Sequence, residues 1–429
     1  MERRDWSKFT DALKKELQVA QGCTEPGAIA LATAKCAELL GTRSPDRISV
    51  FLSRNVFKNA FSVTVPGTDC HGCEFSAALG AVGGDSSLGL EALKKVDAGM
   101  IQKAENLISQ KRCTVSVKDV PDSVYVEANL SAGSHHAKAI IQQEHTNFTF
   151  LQLDDKMITD QRVFQAYGGE GEDECAKFAL SDIFEFAQSV PVEEIAFLNR
   201  AKELNCALSR EGRDRPYGLQ LGRVLEGKLR KGDTPESLAI ARCAAGIDAR
   251  MAGCPMPAVI NSGSGNQGIT ATVPVCVVAE CLGSSEEQLL RALALSHMTA
   301  IYMKYHLDRL TAMCGAISAA AGAGCAVAYL RGGGFQAVRY TVINTIANIT
   351  GMICDGAKSS CSLKVAAALQ AAFCAVDLAL SGTCVDGLDG IVSESAETAI
   401  DNFGTLASAG MKETDRVILE IMLEKSATA

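Results

Sequence analysis

Three of the 17 cysteines stand apart by their neighbours: Cys314, Cys354 and Cys361. They lie in Met313-Cys314-Gly315 and in Cys354-Asp355-Gly356-Ala357-Lys358-Ser359-Ser360-Cys361. Small, flexible residues of this kind let a backbone approach an inorganic centre closely. Three thiolates would supply all but one of the ligands of a four-iron cluster and leave one iron open to a substrate. Such a centre would act as a Lewis acid, not as an electron carrier. Taken singly, each cysteine is more simply a small buried hydrophobe.

Other segments carry groups that would serve such a centre. In Gln21-Gly22-Cys23-Thr24-Glu25-Pro26 a cysteine stands at a helix N-terminus, where the positive end of the dipole should lower its pKa. Cys23 could then act as a thiolate base or nucleophile; the plainer reading is a capping turn. Asn261-Ser262-Gly263-Ser264-Gly265-Asn266-Gln267-Gly268 offers backbone N–H groups and short polar side chains at a helix start, which suits a carboxylate or phosphate. It is not a P-loop, since no Gly-Lys-Ser/Thr follows, and it lacks the surroundings of a dinucleotide fingerprint. Lys304 and His306 precede Cys314 by ten and eight residues, and a cation there could face a carboxylate or a net-negative cluster. Arg54, Asn55 and Lys58 follow a strand-like run and could meet an anion. Cys70-His71-Gly72-Cys73 resembles half a zinc knuckle, but no second Cys-x-x-Cys completes it and no His-x-x-x-His pair suggests zinc.

Residues 6–41 read as two helices broken at Gly22 to Gly27, with Pro26 in the first turn of the second. Alternating runs at 47–53, 60–65, 113–117, 123–128, 134–142 and 148–153 predict strands, and Ala77 to Gln110 looks helical. Val192 to Leu208, Ser237 to Met251 and Ser285 to Lys304 carry helical spacing. The glycine-rich, acidic stretch Gln165 to Glu174 suits a lid or linker. The expected fold is α+β: an N-terminal mixed α/β-sheet layer over residues 1–173, then a mostly α-helical domain over 174–429 that binds cluster and substrate.

The net charge of −9, from 41 basic and 50 acidic residues, with no Lys/Arg-rich block, argues against nucleic-acid binding. The polar start Met1-Glu2-Arg3-Arg4 leads into no apolar stretch, so no signal peptide is expected. The longest small-apolar run, Gly315 to Leu330, is too short to span a bilayer and reads as a buried helix. A cytoplasmic location is expected, with reduced cysteines and no membrane partner. Ala/Gly-rich helical faces leave room for a homodimer.

Gly22-Cys23-Thr24-Glu25-Pro26, Gly265-Asn266-Gln267-Gly268 and the pair Cys354…Cys361 together resemble the L-cysteine desulfidase family (the UPF0597 group), related to the iron–sulfur L-serine dehydratases. The resemblance covers essentially the whole chain. The dehydratases carry cluster cysteines in a Gly-Cys-Gln-Gly-like turn, a Cys-Asp-Pro turn and a following Cys, which Cys314-Gly315, Cys354-Asp355-Gly356 and Cys361 resemble. This chain departs by lacking their Ser-His-Thr segment, with Cys-Thr-Glu-Pro in the comparable role. No cysteine follows Cys384, so no C-terminal cysteine can cap the open iron. The resemblance implies a [4Fe-4S] cluster with one open iron on Cys314, Cys354 and Cys361, and no pyridoxal phosphate. The implied reaction is β-elimination from L-cysteine to hydrogen sulfide, ammonia and pyruvate, with Cys23 as base. Thr24, Glu25, Arg54, Asn55, Ser264, Asn266, Gln267, Gly268 and Lys304 would bind the amino-acid substrate, the Asn266/Gln267 turn and Lys304 holding its carboxylate. Alternatives are an L-serine dehydratase of the same mechanism, a non-catalytic cluster-binding redox sensor, or cysteines that are core residues alone. A sensor normally carries an output module such as a DNA-binding helix-turn-helix, and the acidic charge lends none support.

Overall fold

The structure, a computed structural model, describes residues 5–162, 177–307 and 310–428. The expected lid at Gln165 to Glu174 and the expected boundary between residues 173 and 174 lie outside the described residues. Eight strands occur among the described residues: β1 Val19–Gln21, β2 Arg47–Leu52, β3 Cys113–Val117, β4 Tyr125–Ala132, β5 His135–Gln142, β6 Phe148–Leu153, β7 Lys156–Asp160 and β8 Pro257–Val259. Six form one sheet in the order β3-β2-β4-β5-β6-β7. β2 and β3 run parallel and the other neighbours antiparallel.

Alternation along β2 buries Ile48, Val50 and Leu52 on one face. The helices Thr24–Leu40 and Cys73–Gly83 cover that face with Ile29, Leu31, Ala77 and Leu79. They approach closely because Gly80 has no side chain: a Cβ there would lie 2.4 Å from the Ala30 carbonyl oxygen.

Two local expectations fail, and one strand is unexpected. Residues 60–65 form no strand: Ser53 caps a helix, Arg54–Ala60, by accepting from the Val56 N–H, and only Thr64 makes a bridge, to His71. The run from Ala77 to Gln110 is not one helix, because Gly84 leaves helical geometry before the helix Ala98–Ser109 starts at its Asp97 cap. The edge strand β7 carries no apolar alternation and is mostly exposed, so nothing in its pattern announced it.

The C-terminal half is a layered helical body of Pro235–Met251, Gly265–Leu282, Glu286–Tyr305, Ala316–Leu330, Phe335–Ile349 and Cys361–Leu380. The Ala/Gly-rich helix Ala316–Leu330 is its buried centre, and a Cβ on Gly322 would come within 2.3 Å of the Ser296 carbonyl oxygen. The fold is therefore α+β. Among the described residues Cys361–Leu380 is long and apolar enough to cross a membrane, and half of its apolar window is buried inside the fold.

The two halves exchange their ends. The first helix, Ser7–Glu16, sends Phe9 and Leu13 into the C-terminal core, where Phe9 stacks on Phe186 at 5.0 Å. The last helix, Lys412–Thr428, returns to Arg54–Ala60, where buried Lys58 pairs with Asp415. A main-chain clasp joins them as well: β1 pairs antiparallel with β8, Val19 to Val259 and Gln21 to Pro257.

Gly80→Val should destabilise the protein by about 1–3 kcal/mol, because the two helices must part to admit the side chain. Urea unfolding reads this directly; an unshifted midpoint would mean the contact is slack.

Candidate active site

Between the halves lies a cavity of about 100 Å³. Its wall brings together Cys23, Thr24, Glu25, Ser264, Asn266, Gln267, Lys304, Cys314, Cys354 and Cys361 from distant parts of the chain. Each wall is held by recognisable local structure.

The turn before Thr24–Leu40 has Gly22 at φ +67°, which a side chain rarely adopts. It leaves Cys23 as the extended N-cap residue. Pro26 sits in the first helical turn, where its missing N–H costs nothing. Cys23 is buried and directs its thiol to Glu25 Oε2 at 3.0 Å. This corrects the expectation of a lowered pKa. Burial and the adjacent Glu25 carboxylate push the thiol up, and Arg250 only partly opposes them. A helix terminus favours a thiolate when it is wet; here the thiol is dry and faces a carboxylate.

Glu25 is also buried. It accepts from Asn59 Nδ2 at 2.9 Å; Thr24 Oγ1 lies 3.0 Å from it and 2.7 Å from Gly263 O, to which it donates, and His145 Nε2 stands 3.9 Å away. Burial alone would raise its pKa, but His145, the Cys23 thiol and Asn59 outweigh burial and hold the carboxyl well below its usual range. At 3.9 Å the His145 contact is too long for a hydrogen bond.

The facing wall is the start of Gly265–Leu282. Ser264 is its N-cap and accepts from the Gln267 N–H, so Asn266, Gln267 and Gly268 belong to the helix's first turn. Ser262 has φ +48°, an uncommon conformation for a non-glycine residue, inside a turn closed by the Asn261–Ser264 bridge. Arg250, buried on the neighbouring helix, donates to Gly22 O at 2.7 Å and to Asn266 Oδ1 at 2.9 Å. It ties the Cys23 turn to the Asn266 turn.

Cys314 and Cys354 are placed by a single antiparallel bridge, Met313 to Ile353. The Cys314 N–H donates to Met352 O at 3.0 Å and the Cys354 N–H to Ala312 O at 2.6 Å. Cys361 is the first residue of Cys361–Leu380. Burial, then the neighbouring Cys354, pushes the Cys314 thiol up to about 12. Burial also raises the Cys361 thiol, although a backbone hydrogen bond at Lys358 works against it. Lys364 lines the same cavity and donates to Ile353 O at 2.8 Å, and it pairs with Asp355, which Lys358 contacts at 2.5 Å. That Asp355 pairing raises the Lys364 pKa against the effect of burial.

Among the described residues no three His, Cys, Asp or Glu side chains converge tightly enough for a single metal ion. A four-iron cluster needs a different arrangement, with each thiolate on its own iron. Three thiols ringing one cavity, with a lysine beside them, suit that donor set.

Other expected residues fall elsewhere. Arg54 pairs with exposed Asp119 at 3.2 Å, and Asn55 contacts Asp415 at 3.4 Å; neither lines the cavity. Both belong to the helix that follows β2, which turns them outward toward those partners. Gly268 does not line it either: it lies against β8, where a Cβ would reach within 2.0 Å of Val259 O. His306 pairs with Asp401 at 2.7 Å. Cys70 and Cys73 have separate neighbours, Glu105 and Phe57 O. Arg250, Asn59, His145 and Lys364 were missed, since nothing in the residues beside them foretells which tertiary partners they meet.

The profile of the serine dehydratase alpha chain matches residues 75–420, which include the three cysteines and the Asn266 turn. A UPF0597 protein of Oleidesulfovibrio alaskensis is 43% identical over 428 residues, 99% of this chain and 100% of its own. One from Bacteroides thetaiotaomicron is 42% identical over 97% of this chain and 98% of its own. A third, from Chromobacterium violaceum, is 40% identical over 99% of both chains. With full-length relatives and a matching profile, the chain belongs to the serine dehydratase alpha-chain family, in its UPF0597 group.

Proposed function

We propose that the protein is a lyase that eliminates the β-substituent of L-cysteine, releasing hydrogen sulfide, ammonia and pyruvate. One observation carries this reading: Cys23 with Glu25, the Ser264–Gln267 turn and the three cysteines share one cavity. A [4Fe-4S] cluster held by Cys314, Cys354 and Cys361 would supply an open iron as Lewis acid toward the soft sulfur of the substrate.

The chain's own groups do the rest. Ser264 and Asn266, at the positive end of Gly265–Leu282, bind the carboxylate with Lys304. Thr24, Glu25 and Gln267 complete the polar wall around the substrate. Cys23, as thiolate, takes the Cα proton. The Cα–H electron pair becomes the Cα=Cβ double bond, and the Cβ–S bond breaks with its pair leaving on sulfur. Aminoacrylate then tautomerises to an imine, which water hydrolyses to pyruvate and ammonia. A high thiol pKa suits this role, because a weakly acidic Cα–H needs a strong base. The thiolate must first form, and Arg250 is the cation that favours it.

The serine dehydratase profile supports one second reading, the same elimination from L-serine with hydroxide leaving.

After anaerobic reconstitution, sulfide and pyruvate should form from L-cysteine faster than pyruvate from L-serine; the reverse order would favour the second reading. Cys23→Ser should keep the cluster's visible absorption and lose at least about a hundredfold in kcat. Cys361→Ser should instead lose the absorption. Cluster loss in the Cys23 variant would overturn its role as base.

Glu25→Gln tests the thiol's environment. The carboxylate raises the Cys23 pKa, so removing its charge must lower it. Peptide-resolved alkylation of Cys23 should then rise at lower pH than in the parent protein. An unmoved profile would show that burial alone sets the thiol.

A further inference from the structure

Two hydrogen-bond acceptors on the cavity wall have no partner among the described residues: Asn59 Oδ1 and Gln267 Oε1. Both side chains are more than nine-tenths buried, at 8% and 6% exposure. A buried polar atom left unbonded costs about 1–3 kcal/mol, so two on one small cavity call for an explanation.

The Asn59 amide cannot simply be turned over. Its Nδ2 donates to Glu25 Oε1 at 2.9 Å, and reversal would set its oxygen against a carboxylate. What it has left to offer is therefore an acceptor. The Gln267 side chain lies against Gly315, where a Cβ would come within 2.6 Å of Nε2 and 3.1 Å of Oε1. Any larger residue beside Cys314 would displace the amide. The Asn59 carbonyl oxygen beside an ionised Glu25, with the Gln267 oxygen on the wall of the same cavity, suits a cationic N–H donor and repels a carboxylate.

We propose that Asn59 and Gln267 form the seat of the substrate's α-ammonium group and make the site specific for α-amino acids over analogues lacking the amine. The proposal rests on the reading of this cavity as an amino-acid site, and it moves Gln267 from the carboxylate end of the substrate to the amine end. It also orients the substrate: an ammonium beside Asn59 lies beside Glu25, which brings the neighbouring Cα–H to the Cys23 side.

The test is anaerobic binding of two ligands by the reconstituted protein: L-cysteine, and 3-mercaptopropionate, which is L-cysteine without its amine. The parent protein should bind L-cysteine more tightly. Asn59→Leu and Gln267→Met should each weaken L-cysteine by about tenfold and leave 3-mercaptopropionate within about twofold. Gln267→Met keeps the side-chain length and the Glu25 contacts, so it decides the matter if Asn59→Leu does not fold. Equal weakening of both ligands, no change in either, or no preference for the amine in the parent would overturn the seat. Selective binding without turnover would instead sink the desulfidase reading and leave the seat standing.

Discussion

A buried carboxylate organises one side of the cavity. Taking Glu25 out of water costs several kcal/mol unless donors replace the lost solvent. The donors come from separate parts of the chain. Cys23, with the Thr24 hydroxyl beside it, donates from its own turn and Asn59 from the helix after β2, while His145 in the turn between β5 and β6 stands 3.9 Å away. One charge thus ties together the start of a long helix, a short helix and a turn of the sheet. Losing a donor would leave the charge buried with less to hold it, so these residues act as a unit.

The opposite side has the contrary problem. Cys314, Cys354 and Cys361 would each carry a negative charge as ligands, and without metal burial and then Cys354 raise the affinity of the Cys314 thiol for protons. Lys364 stands with them, anchored by Asp355 and the Ile353 carbonyl. A cation fixed in that way offsets negative charge without occupying the cavity centre. Each wall thus has its own means of offsetting negative charge: hydrogen-bond donors around Glu25 and a lysine beside the thiols.

Much of this was legible in the sequence where the signal is local. The cysteine turns, the Cys-Thr-Glu-Pro helix start and the polar turn at Ser264 announce themselves within a few residues. The sheet was legible at Ile48, Val50 and Leu52, where one strand face is buried. Legibility ended where tertiary contact overrules local preference. Residues 60–65 alternate like a strand, yet the Ser53 cap draws the chain into a helix just before them. Cys23 has the helix position of an activated thiol, but Glu25 and burial reverse the sign. Arg250 looks like any helix arginine until its partners at Gly22 and Asn266 are seen.

The glycines beside the cysteines carry the same lesson further. In sequence they suggest room for an inorganic centre. In the fold they also make room for the other wall. Gly315 lies flat against the Gln267 amide, and Gly356, at φ +93°, would place a Cβ within 2.5 Å of the Lys58 carbonyl oxygen. The cysteine loops therefore present backbone, not side chains of their own, to the Gln267 amide and to the Asn59 helix. Each wall is stabilised by its own interactions, the Met313–Ile353 bridge on one side and the Glu25 network on the other. The clasp between β1 and β8 joins the approaches to the Cys23 turn and the Ser264 turn with main-chain hydrogen bonds, and Arg250 adds a side-chain tie between the same two turns. Side chains on one wall can therefore change without dismantling the other.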